Sequence, residues 1–106
     1  MSSTPPSAHD VLQSPELMEQ LAAVEHERWS HWQRYLHSKC EVGSDGSLRI
    51  PPNLAQRWTV QMGTSYGDLP DDQKESDRDQ VRKYLPVIAR ALTSGASTAL
   101  GESEAR

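Results

Sequence analysis

The stretch SPELMEQLAAVEHERWSHWQRYLHSKC, residues 14–40, decides the fold. Ser14 is a favourable helix N-cap, and Pro15 suits the first helical position because it has no N–H to satisfy. After Pro15 no glycine or proline occurs until Gly43, and apolar residues recur at helical spacing along the stretch. The sequence therefore predicts a long helix here, with one apolar face turned to a core.

Two further helices are predicted downstream. Residues 53–62 follow a Pro-Pro pair and carry apolar side chains at i, i+4 and i+8, which favours a short helix. Residues 68–95 predict a second long helix that Asp68 caps, Pro86 kinks or breaks, and Gly95 ends. The expected apolar stripe of that helix is Val81, Leu85, Ile88 and Leu92.

The segment between the first two helices carries the turn signal Asp45-Gly46, flanked by Val42 and by Leu48 and Ile50. A short hairpin and a tight loop both fit this pattern. The expected fold is mainly all-α: a small helical bundle of two long helices and one short helix, with a short β-hairpin near 41–50.

Composition divides the chain into a core and two tails. Residues 1–13 are rich in Ser, Thr and Pro, and residues 95–106 are small and polar, so both are predicted to be disordered. The single domain is then 14–94. About 80 residues is near the lower limit for a self-sufficient core, and a homodimer would supply the missing buried surface.

Charge and composition exclude several classes of partner. The chain of 106 residues has a net charge of −4, and nucleic-acid binding generally requires a basic face. The same deficit argues against an anionic membrane surface, and no apolar run approaches the length of a membrane span. The N-terminus lacks the features of a signal peptide, and the single Cys40 favours a reducing compartment, so a cytoplasmic location is expected.

The segment VEHERWSHW, residues 24–32, is close to the zinc-protease pattern His-Glu-x-x-His. That pattern places two histidines four residues apart on one helical face. Here His26 and His31 are five residues apart and point about 140° away from each other on a helix. No metal site is predicted.

Charged residues interrupt the apolar faces of both long helices. Glu25 and Arg28 fall within the apolar sector of the first, where Trp29 and Trp32 could frame a pocket. Lys74, Asp77 and Arg78 extend the stripe of the last helix toward its N-terminus. One interpretation is a polar ligand pocket inside the bundle. The other is a network of Glu25, Arg28, Asp77 and Arg78 that only locks the helices together, and the sequence leaves both open.

Motifs of catalysis are missing. The chain has no G-x-S-x-G, G-x-G-x-x-G or P-loop pattern, and no nucleophile with a matching base and oxyanion hole. No catalytic residue, enzymatic activity or cofactor is predicted. A nucleotide hydrolase with Glu27 or Asp77 as base is a third hypothesis, and the absence of clustered metal-binding carboxylates argues against it.

Two segments resemble the ryanodine-receptor repeat (RyR) domain family. The first, AAVEHERW, matches its His-Glu-x-x-Trp helix motif through His26, Glu27 and Trp29. The second, SYGDLPDDQKESDRDQVRKYLP, matches a loop aromatic followed by Leu-Pro, acidic residues and a Lys-x-x-Asp-Arg helix start. Together they cover roughly half of the predicted core. The middle segment departs from the channel version of the domain and is similar to short stand-alone proteins of phages and bacteria.

The resemblance implies an α-helical ligand-binding domain rather than an enzyme. In the channel version an adenine nucleotide stacks on the motif Trp, which is Trp29 here. The expected function is binding or sequestering a nucleotide or nucleotide-derived signal, in a phage as a sponge against host immune signalling. The alternative is a protein-interaction or oligomerisation module in which Trp58, Met62 and Tyr66 are surface anchors. The expected ligand-binding residues are His26, Arg28, Trp29, Trp32, Tyr66, Lys74, Asp77 and Arg78.

Overall fold

A computed structural model describes residues 4–100, with the side chains of residues 4–94. The protein is mainly helical with one small antiparallel sheet, which confirms the expected fold class. In chain order the elements are α1 (Ala8–Leu12), α2 (Pro15–Lys39), β1 (Glu41–Val42), β2 (Leu48–Arg49), α3 (Pro52–Met62), a 3-10 turn (Tyr66–Asp68) and α4 (Asp71–Leu100). None of the helices described is long and apolar enough to cross a membrane.

These elements form two compact units. The first contains the residues up to His26 and those from Gln80 onward, and the second spans Glu27–Asp79. In the first unit Leu17 is only 2% exposed, and it is the sole buried hydrophobic residue among the side chains described. The N-cap that begins α2 is as predicted, because the Leu17 amide donates to Ser14 Oγ at 3.2 Å. Tyr84 on α4 donates a hydrogen bond to Glu25 on α2 within this unit.

The N-terminal segment is more ordered than its composition suggests. Residues 1–13 were expected to form a tail, yet α1 occupies Ala8–Leu12, and residues 1–3 lie outside the described part. Ser7 and Asp10 form a reciprocal capping box: the Asp10 amide donates to Ser7 Oγ at 3.0 Å, and the Ser7 amide donates to Asp10 Oδ2 at 3.4 Å. Two side-chain bonds at one helix end favour a short helix despite the polar composition.

Helix α4 differs from its prediction at both ends. It begins at Asp71 after Pro70, while Asp68 belongs to the preceding 3-10 turn. It also continues through Pro86 and past Gly95 to Leu100. A single glycine inside a helix costs only about 1 kcal/mol, so Gly95 does not end it. The predicted tail at 95–106 is therefore helical over its first six residues, and residues 101–106 lie outside the described part.

The predicted hairpin is confirmed. Glu41 pairs with Arg49 and Val42 with Leu48, and the Glu41 and Arg49 side chains also form an ion pair. The connecting turn depends on Gly46, whose φ of +86° is a conformation that a residue with a Cβ rarely adopts.

We expect Leu17→Ala to lower the free energy of unfolding by about 2–5 kcal/mol, because it removes the one buried hydrophobic side chain described. Met18→Ala on the same helix, at a residue 63% exposed, is the matched control and should change it by no more than about 0.5 kcal/mol. Urea unfolding followed by circular dichroism measures both. Equal losses for the two variants would contradict the position assigned to Leu17.

The hairpin turn makes a prediction about pH. Hydrogen bonds from the Ser47 hydroxyl and, next in size, the Ser47 amide hold the pKa of Asp45 below its ordinary 3.8. Because the folded-state pKa is the lower one, this carboxylate stabilises the turn above pH 3.8 and the contribution is lost as pH falls through the folded pKa. Ser47→Ala should raise the pKa of Asp45 toward 3.8 in an NMR titration, whereas Ser65→Ala should not. An unchanged Asp45 titration in Ser47→Ala would contradict this account.

Candidate functional site

Tyr66 and Lys74, both predicted as site residues, lie together in the second unit. The Tyr66–Asp68 turn is held by the Ser65 hydroxyl, which donates to Asp68 Oδ2 at 3.0 Å. Helix α4 begins directly afterwards, and its first turn places Lys74 Nζ 5.7 Å from the centroid of the Tyr66 ring. This is a cation–π distance. The ring is 50% exposed, so an aromatic surface and a cation are presented side by side.

Arg78 lies one turn further along α4 and is held by carboxylates of its own helix. Its Nη1 donates to Glu75 at 3.0 Å and to Asp71 at 3.4 Å. The hydrogen bond to Glu75 is the largest of the effects that raise the pKa of Arg78. Interactions with Tyr66 and Asp71 raise this pKa further. The guanidinium is therefore fixed in position, and these two acids offset its charge. Lys74 is the less compensated cation of the group.

The ion pairs of Arg78 lie within α4, whereas the predicted helix-locking network paired it across the two long helices. That network joined Glu25, Arg28, Asp77 and Arg78 across the two long helices. In the structure Arg78 pairs with Asp71 and Glu75 inside α4, and Glu25 accepts from Tyr84. The ion pairs of Arg78 thus stabilise the start of one helix.

Trp32 belongs to an aromatic cluster rather than to the Tyr66 group. Its ring lies 5.5 Å from that of Trp58 in an edge-to-face arrangement, and 5.7 Å from that of Tyr35 in a stacked one. Lys39 Nζ lies 5.5 Å from the Tyr35 centroid. Such aromatic pairs stabilise by about 0.5–1.5 kcal/mol beyond their buried area. The cluster joins α3 to α2 through the rings of Trp32 and Trp58.

The other predicted residues are distributed over both units. Trp29 is 51% exposed, Asp77 is exposed, and Arg28 is half-buried, all in the second unit. His26 is exposed and belongs to the first unit. His26, Arg28 and Trp29 each take part in at least one interaction. Of the eight predicted residues, Tyr66 and Lys74 are in contact, and Arg78 interacts electrostatically with Tyr66.

A groove of about 570 Å³ opens in the second unit, and none of its lining residues was among the predicted site residues. Four of its nine lining residues carry a carboxamide, and the rest include one guanidinium, one carboxylate and the apolar Val60 and Pro70. The lining residues are Asn53, Gln56, Arg57, Val60, Gln61, Thr64, Asp68, Pro70 and Gln73. Six of them lie on one face of α3 and in the loop after it. The sequence feature that could have indicated this groove is a helical face with Asn and Gln at positions where Lys and Glu are usual.

The groove adjoins the Tyr66–Lys74 pair along the chain. Asp68 shares the 3-10 turn with Tyr66, and Gln73 directly precedes Lys74. A volume near 570 Å³ falls within the range of small-ligand sites. Carboxamides both donate and accept hydrogen bonds, so this surface suits a ligand with many hydroxyl or amide groups.

Among the residues that the structure describes, no group of three or more His, Cys, Asp or Glu side chains is placed to hold a metal ion. No protein-family model matches the chain, and the searches of curated proteins and of solved structures find no match either. The resemblance to the RyR domain family rests on the motif residues alone.

We expect Arg78→Gln to leave the unfolding midpoint close to that of the wild type, because exposed ion pairs within one helix contribute little to stability. Trp58→Ala should instead lower the free energy of unfolding by at least about 1 kcal/mol, since it removes the edge-to-face contact with Trp32. Thermal unfolding of both variants measures the difference. A large loss in Arg78→Gln would mean that Arg78 is a structural lock.

Proposed function

We propose that this protein binds a nucleotide or a nucleotide-derived signal without chemically changing it. The observation that carries the proposal is the half-exposed Tyr66 ring with Lys74 beside it, next along the chain to residues that line the groove. An aromatic ring stacks on a base, and a cation attracts phosphate. A basic aromatic site in a chain of net charge −4 also favours a small anion over a nucleic-acid polymer.

Each side chain of the proposed site has a distinct role. Trp29 and Tyr66 offer exposed rings to the base or ribose, as the resemblance implies for Trp29. Lys74 holds the phosphate as a mobile point charge. Arg78 is held by Glu75 and directs its remaining N–H donors toward the ligand. Arg28 and Asp77 orient the ligand by hydrogen bonds.

Two observations support binding over catalysis. The half-exposed ring of Tyr66 and the ammonium of Lys74 are groups that bind a base and a phosphate. The groove supplies room for a sugar or another polar part of the ligand. The proposal is confined to residues of the second unit, so the role of His26 stays a prediction of the resemblance. If the chain comes from a phage, sequestration of a host signal is the consequence of binding without turnover.

An interaction module without a small ligand is the second candidate, and one observation favours it. Val60 and Met62 on α3 are 63% and 78% exposed, close in sequence to the half-exposed Tyr66. Exposed apolar side chains near an aromatic can anchor a protein partner.

The test is thermal melting of the full chain against adenosine phosphates, cyclic dinucleotides, and ADP-ribose with its cyclic forms. A ligand at about 100 times its Kd adds about 2.7 kcal/mol of stability. For a domain of this size the midpoint of thermal unfolding then rises by more than about 5 °C. Lys74→Gln and Trp29→Ala should each remove most of the rise, because they delete the phosphate contact and the stacking surface.

Lys83→Gln is the matched control, since it neutralises another exposed lysine of α4 outside the proposed site and should keep the full rise. Chromatography of the ligand recovered after incubation should return it unchanged. If no nucleotide of the panel raises the unfolding midpoint, the binding proposal is contradicted. A shift that survives both site variants would place the ligand elsewhere, and Arg57→Gln would then test the groove.

A further inference from the structure

The groove of the second unit carries hydrogen-bonding groups that the protein itself does not use. Gln61 of α3 and Gln73 of α4 are half-buried in its lining, and neither side chain has a hydrogen bond among the residues described. Arg57 has no ion pair among those residues. Asp68 accepts one hydrogen bond from Ser65 and, as a carboxylate, has lone pairs for others. The groove therefore offers both donors and acceptors to a ligand.

The charges of the groove disfavour an anionic occupant. Of the residues that line it, Arg57 and Asp68 are the charged ones, and their charges cancel. A phosphate in the groove would face the carboxylate as well as the guanidinium. Lys74, next to the groove along the chain, has no ion pair among the residues described. The phosphates of a ligand therefore belong at Lys74, and the groove suits an uncharged part.

The groove also lacks a surface for a second base. None of its lining residues is aromatic, so it offers no ring on which a base could stack. Carboxamides and a carboxylate bind hydroxyl groups well, because a hydroxyl both donates and accepts hydrogen bonds. Val60 and Pro70 add apolar surface for C–H groups. An uncharged group with several hydroxyls and no flat ring, which describes a sugar, matches this lining.

Covalent geometry keeps the groove close to the Tyr66–Lys74 pair. Gln73 directly precedes Lys74, and Asp68 follows Tyr66 by two residues. Consecutive Cα atoms are about 3.8 Å apart, so Cα atoms two residues apart are separated by at most about 7.6 Å. A ligand that stacks on the ring and binds the ammonium therefore needs only a short linker to enter the groove.

Resting on the function proposed above, we propose that the ligand is a nucleoside diphosphate joined to a sugar, and that Gln61 and Gln73 bind the hydroxyls of this sugar. The base lies on Tyr66 and the diphosphate at Lys74. The two glutamines are then specificity residues. They select a sugar over the last phosphate of a nucleoside triphosphate, which gains nothing in a groove without net charge, and over the second base of a dinucleotide.

Isothermal titration calorimetry of the full chain with ADP, ADP-glucose and ATP tests the proposal. ADP-glucose should bind at least about 10-fold more tightly than ADP, the effect of two or three added hydrogen bonds. Gln61→Ala and Gln73→Ala should each remove most of this gain and leave the Kd of ADP unchanged, because ADP does not reach the groove. UDP and UDP-glucose are measured in the same way, so that the ratio of the two Kd values is obtained for two different bases.

Two further variants serve as controls. Lys74→Gln should weaken ADP and ADP-glucose by the same factor and so preserve the ratio of their Kd values. Gln20→Ala removes a carboxamide from an exposed position of α2 outside the groove and should change neither Kd. Circular dichroism checks that each variant is folded.

The outcomes separate this proposal from the proposed function. Equal Kd values for ADP and ADP-glucose, an ATP that binds more tightly than ADP-glucose, or a ratio that is unchanged in both glutamine variants would overturn the assignment of a sugar and leave nucleotide binding standing. If none of these compounds binds, the sugar nucleotide is also overturned as the ligand. The wider panel of nucleotides described above then decides whether the proposed function falls with it.

Discussion

The edge-to-face contact of Trp32 with Trp58 is the interaction on which the second unit depends. It joins α2 to α3 across a hairpin that is itself only two residues long on each strand. A hairpin of that size is not stable in isolation, so the aromatic cluster must fix the position of α3. The groove along α3 and the turn that presents Tyr66 therefore rely on this ring pair for their position.

The local features of the fold could be predicted because local chemistry determines them. The start of α2 follows from Ser14 and Pro15, and the hairpin follows from Asp45 and Gly46. Helix α1 was missed because composition was weighed above the reciprocal bonds of Ser7 and Asp10. Val81 and Leu85 of the predicted α4 stripe are half-exposed, because a helical wheel does not show which part of an apolar face a neighbouring helix covers.

The candidate site divides in the same way. Tyr66 and Lys74 are joined by one turn and the helix that follows, so their proximity could be read from the chain. The role of Trp32 depends on Trp58, which is remote in sequence, and a helical wheel contains no information about such a partner. The groove was missed because its Asn and Gln residues have no charge and form no apolar repeat. Charge and apolar spacing are the two features from which the site was predicted.

Pro86 gives α4 a property that its uninterrupted bounds conceal. Proline has no N–H, so one of the i to i−4 backbone hydrogen bonds of this helix cannot form at Pro86. Helical cooperativity is transmitted by consecutive bonds, and it is weakest where one is absent. The turns before and after Pro86 can thus open on different timescales, and amide exchange along this one helix need not follow a single rate.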